Sequence, residues 1–189
     1  MIKIILTLLT LFSFSLSQAK EVSVGIILGF TGPIESLTPD MSSGAELAFK
    51  EASDSGNLLD GTTLNVIKAD STCIDSAAAT AAAEVLVNHV SAIMGADCSG
   101  VTGAILSNVA VPNGVPMISP SATSPALTTA EDNGLFFRTA PSDARGGEVL
   151  ADITSDRGIS SVAITYVNTD YGVGLALSLI HISEPTRPY

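Results

Sequence analysis

Basic residues are scarce in this chain: eight lysines and arginines stand against nineteen aspartates and glutamates, for a formal net charge of −11. Affinity for nucleic acid depends mainly on Lys and Arg neutralising phosphates, so that partner class is excluded. Histidine is scarcer still, with two. A metal site needs three or four ligands, and His89 lies on a predicted helix with no partner at ligand spacing. The phosphate fingerprints are missing: there is no G-x-G-x-x-G after a strand and no G-x-x-x-x-G-K-[ST], which removes support for nucleotide chemistry. The G-x-S-x-G turn of a serine hydrolase is missing too, since "GADCSGVTG" comes near it without matching. No cofactor is expected.

The chain also lacks a run long enough to span a bilayer at its start. The apolar stretch at residues 4–16 is 13 residues long, against the roughly 20 that a spanning helix requires. With Lys3 before it and the small residues Ser17 and Ala19 after it, residues 1–19 read as a secretory signal peptide cleaved after Ala19, the alternative being an uncleaved anchor. Stable membrane insertion is not expected of the remaining 170 residues, whose charge falls to −12 once Lys3 is removed. They are enough for one ordinary domain or for part of a two-lobed protein. In an exported chain, Cys73 and Cys98, 25 positions apart, are most naturally a disulfide; the rival is a metal site.

What is present is an alternation. The run 22–30 ("VSVGIILGF") reads as a strand buried on both faces, and 41–56 as an amphipathic helix carrying Ala45, Leu47, Ala48, Phe49 and Ala52, with Gly56 at its end. Strand 62–70, an alanine-rich helix 75–90, strand 91–97, helix 99–111 and strand 115–119 follow. After a loop at 120–134, long enough to suggest function, come a short strand at 135–141, a helix at 142–158 capped by Ser142 or Asp143, and a further buried strand at 161–167. Strands alternating with helices predict an α/β fold with a parallel sheet flanked by helices. The helix expected after "NTDYGVG" meets prolines 185 and 188, and residues 179–189 read as a non-native tail resembling translated adapter DNA, so His181, Glu184 and Arg187 carry no information.

Ligands of open parallel sheets bind beyond the carboxyl ends of the strands, and three hydroxyl-bearing loops fall there. "CSG" opens a helix that Ser99 would cap; "PSAT" (120–123) follows the next strand; "NTDYG" (168–172) offers Tyr171. Taken singly, each is explained by capping and turn formation. Jointly they supply donors for a carboxylate and acceptors for an ammonium, as a zwitterionic amino acid demands.

The order "VGIILGFTGPI", "GAELAFKEA", Cys73 with Cys98, "CSGVTGAI", "VPMISPSATSPALT", "FFRTAPSD" and "AITYVNTDYGVG" resembles the periplasmic binding proteins for leucine, isoleucine and valine, which deliver ligand to ABC transporters. The resemblance implies the type I fold of periplasmic binding proteins, two α/β lobes closing on a ligand at a hinge. Here the first lobe (20–140) would be nearly complete and the second (141–178) truncated. It implies a Cys73–Cys98 disulfide, Ser99 holding the ligand carboxylate, and the turn of Ser121, Ala122 and Thr123 against the ligand. The Ser121 carbonyl would take the ammonium, Thr123 would touch both ends, and Tyr171 would cover the ligand from the second lobe. It implies as partners a small amino acid or related polar ligand and an ABC transporter permease, in the periplasm. The chain departs from the pattern at Leu37, where leucine-type binders carry an aromatic residue, and at Gly146-Gly147, where Gln-Gly is usual. The acid that pairs with the ligand ammonium belongs to the half of the family's length beyond this chain. A sensory ligand-binding domain, a binder of amides or urea, and an exported α/β hydrolase are the alternatives.

Overall fold

The computed structural model describes residues 20–183. The signal peptide read at 1–19 and the tail from 184 onward lie outside the described residues. Within them, β1 (Glu21–Leu28), β2 (Thr63–Asp70), β3 (Ile93–Gly95), β4 (Met117–Ser119) and β5 (Phe136–Arg138) form one sheet of order β2-β1-β3-β4-β5. Every adjacent pair is parallel. All five carboxyl ends therefore converge on one edge. The order reverses at β1, whose neighbours β2 and β3 diverge from it, and a crevice opens at such a point.

Composition explains the burial. β1 is central, and Ile26, Ile27 and Leu28 are fully buried as its β-branched, apolar run predicts. β2 lies at the edge and alternates between exposed and half-buried residues. α2 (Ser76–Val87) can pack closely because its inward residues are small: Ala79 and Ala83 join Leu86 against Ile27 and Ile67. Asp75 caps it, accepting from the amides of Ala77 and Ala78 at 3.0 Å. Packed beside α2 on the same core, α3 (Ser99–Ile105) passes through a π-helical turn (Leu106–Ala110) into α4 (Val111–Asn113), and Gly114, at φ +66°, ends the run. α1 (Thr38–Asp54) forms as predicted, but only Thr38 and Ser42 are buried and Leu47 points outward. The Glu46–Lys68 ion pair fastens it to β2.

Beyond the sheet, α5 (Asp143–Asp156) is capped by Ser142, whose hydroxyl accepts from the Ala144 amide. It packs on α6 (Asp170–Ser183) through Gly147, where a Cβ would lie 2.8 Å from the Ser178 carbonyl carbon; Gly146 faces open space. So of the Gly146-Gly147 pair, Gly147 alone serves this helix contact. One expectation changes here. Residues 161–167 form no strand and are almost wholly exposed, because a strand needs a neighbour to complete its hydrogen bonds and the one sheet among the described residues ends at β5. The helix expected after "NTDYGVG" forms as α6 and runs to Ser183, before the prolines at 185 and 188.

Candidate ligand cleft

The loops after the strands are tied down by short polar side chains. Thr31 donates from its hydroxyl to Asp70 at 2.6 Å, and Asp70 also accepts from the Thr72 amide at 2.9 Å. Burial acts to raise the Asp70 carboxyl, but the bonds from Thr31, Thr72 and Phe30 outweigh it and hold the group below its ordinary value. Cys73, on the same loop, is bonded to Cys98 at the entry of α3, as expected, with Cα atoms 5.3 Å apart. After β4, the Ser119 hydroxyl donates to the Ala96 carbonyl and accepts from the Ala122 amide at 2.9 Å. The long loop that follows holds a 3-10 turn (Pro125–Thr128) and is pinned from β5 by Arg138, which donates to the carbonyls of Ala122 and Ser124 and to the Thr128 hydroxyl.

These loops border one cleft of about 840 Å³ at the carboxyl ends of the strands. That volume lies within the range of small-molecule sites. Ser99, Ser121, Thr123 and Tyr171 all line it, and so does the Cys73–Cys98 bridge. Residues from three separate segments, 72 positions apart from Ser99 to Tyr171, are thereby brought to one space. Leu37 lines the opposite rim with Pro33, Ile34 and Met41.

One site expectation is corrected, and one residue stands back from the cleft. Ser99 does not cap α3: Cys98 holds the capping position, and the Ser99 hydroxyl instead accepts the Ser124 amide at 3.1 Å, knitting the helix start to the long loop. Ala122 does not line the cleft. It is 0% exposed, in the core, with its amide on Ser119 and its carbonyl on Arg138. Its part is to hold the turn on which Ser121 and Thr123 face the cleft.

The cleft also contains residues that the sequence reading passed over. Asp143, considered only as a helix cap, accepts the Thr123 hydroxyl at 2.7 Å, while its amide donates to the Thr123 carbonyl at 3.0 Å. Asp97 is 3% exposed. Its carboxylate accepts from the Gly29 amide at 2.6 Å, the Cys98 amide at 2.9 Å and the Ser71 hydroxyl at 3.2 Å. Its carbonyl accepts the Ser121 hydroxyl at 3.0 Å. A signal was available for both: each is an acid within two residues of the end of a predicted strand, at the edge where ligands bind.

Comparison with known proteins agrees with this geometry. The model of the family described as the receptor family ligand binding region matches residues 41–186. The chain belongs to that family. Its relatives include a Leu/Ile/Val-binding protein homolog of Brucella melitensis, 29% identical over 166 residues that cover 86% of this chain and 44% of the relative. Among solved structures, an ABC transporter substrate-binding protein of Desulfitobacterium hafniense in complex with Leu superposes with a TM-score of 0.71 at 28% identity, covering 87% of this chain and 47% of that one. A solute-binding protein of R. palustris in complex with 4-hydroxybenzoate shares the fold, with a TM-score of 0.73 at 20% identity over 87% of this chain and 44% of its own. The fold is that of the type I periplasmic binding proteins, and this family member spans less than half the length of these relatives.

Proposed function

We propose that this chain supplies the first lobe, and the opening of the second, of an exported solute-binding protein. It captures a branched-chain amino acid and hands it to the permease of an ABC transporter in the periplasm, after removal of residues 1–19. The observation that carries the reading is the convergence of Ser99, Ser121, Thr123 and Tyr171 on one cleft at the strand ends. The names of the relatives support the ligand class.

The hydrogen bonds in place suggest how each group serves. Because the Ser99 hydroxyl already accepts from Ser124, its own proton is left to donate to a ligand carboxylate. Thr123 donates to Asp143, so the lone pairs of its hydroxyl and the Asp143 carboxylate together receive an ammonium. Tyr171, at the start of α6, closes over the ligand as the lobes come together. No chemical step is needed.

The test is thermal unfolding of the full-length product of the gene against amino acids, amides and 4-hydroxybenzoate. A ligand bound only by the folded state raises Tm by mass action. Leucine, isoleucine or valine should raise it, and Thr123→Ala should abolish the rise. A rise with amides or 4-hydroxybenzoate alone, or with nothing, overturns the amino-acid assignment. A sensory domain is the second reading, favoured by the family's description, and a membrane-spanning helix downstream in the complete gene would decide for it.

A further inference from the structure

Asp97 is a buried acid whose surroundings set it apart from the other carboxylates of the molecule. It takes part in none of the three ion pairs among the described residues. Its oxygens instead gather donors from the ends of three neighbouring strands: Gly29 after β1, Ser71 after β2 and Cys98 after β3. Through its carbonyl it also fixes the Ser121 side chain. One residue thus sets where both hydroxyl loops of the first lobe stand, and it leaves a formal negative charge in the cleft floor directly before Cys98 and Ser99. Among the described residues no lysine, arginine or histidine lines the cleft to offset that charge.

A charge in a low-dielectric floor acts strongly on whatever enters. We propose that Asp97 is a specificity-determining residue of this cleft: it positions Ser99 and Ser121 and, by its charge, disfavours ligands that are carboxylates without an ammonium group. The inference rests on the amino-acid reading given above. A zwitterion tolerates the charge because its ammonium is attracted as its carboxylate is repelled. A simple organic acid has no such compensation, and an amino amide has only the attraction.

The experiment is calorimetric titration of the full-length protein with leucine, leucinamide and 4-methyl-2-oxopentanoate, repeated on Asp97→Asn and Asp97→Glu after circular dichroism has shown each to be folded. In Asp97→Asn the affinity for 4-methyl-2-oxopentanoate should rise at least tenfold relative to leucinamide, since even a unit charge about 12 Å away in an effective dielectric near ~20 changes affinity about tenfold. Asp97→Glu, which keeps the charge and moves it, should weaken all three ligands and preserve the order of the unaltered protein. If Asp97→Asn weakens the three in equal proportion, the residue is only a clamp and the proposal is overturned while the amino-acid reading stands. If neither variant folds, the unaltered protein still decides: 4-methyl-2-oxopentanoate binding as tightly as leucinamide overturns the proposal. Binding of none of the three overturns the amino-acid reading, and this inference with it.

Discussion

The stretches 22–28 and 161–167 are close in composition, both apolar and rich in β-branched residues. In the first, Ile26, Ile27 and Leu28 are fully buried between α2 and neighbouring strands; in the second, Val162, Tyr166 and Val167 stand more than half exposed. The difference is not in the residues but in what lies beside them. β1 has β2 on one side and β3 on the other, whereas 161–167 has two packed helices nearby and no strand to pair with among the described residues. Strand character in a sequence is an offer of pairing, and only non-local structure can accept it.

The contrast can be tested by truncating one side chain in each stretch. Ile27→Ala should cost about 2–5 kcal/mol, as large-to-small changes in a packed core do, while Val162→Ala should stay within about 0.5 kcal/mol. Urea unfolding of both variants measures the pair, and comparable losses would mean that 161–167 is packed after all. Removing the disulfide with Cys73→Ala and Cys98→Ala acts on the first region alone. Closing a loop of 25 residues is worth about 3 kcal/mol on the chain-entropy account. Hydrogen exchange in the variant should accelerate in β1 and β3 and leave exchange at 161–167 unchanged.

The smallest effect separates electrostatics from packing within the first region. Asp70 has its carboxyl held below the ordinary value of 3.8. Its contribution to stability is therefore complete above that value and is lost as pH falls through the lowered value of the folded state. Thr31→Ala removes the strongest of the lowering bonds. The stability difference between this variant and the parent should be constant at neutral pH and should narrow below about pH 4. A difference unchanged down to pH 2 would assign the loss to packing.

The sequence was most legible where pattern and neighbour agree. The alternation that predicts β1 to β5 with their helices, the Ser142 cap and the Cys73–Cys98 pair all reappear in the structure. It was less legible where one polar group had several partners to choose from. Ser99 has the composition of a cap but finds the Ser124 amide, 25 positions away, instead. Ala122 sits among ligand-facing neighbours in the chain, but the turn directs it inward. Asp97 could not be recognised as a junction, because its three donors come from positions 29, 71 and 98 and meet only when the sheet is assembled. The site is legible as a set of loops; its hydrogen-bond network is a property of the fold.

Arg138 carries a consequence for the kinetics of capture. By holding Ala122, Ser124 and Thr128 at once, it freezes the wall that presents Ser121 and Thr123 before any visitor arrives. Ordering a loop on association costs entropy that a preorganised wall has already forgone. On the proposed function, encounter with the first lobe would then be a docking onto a finished surface, and the slow, selective step would be left to the swing of the second.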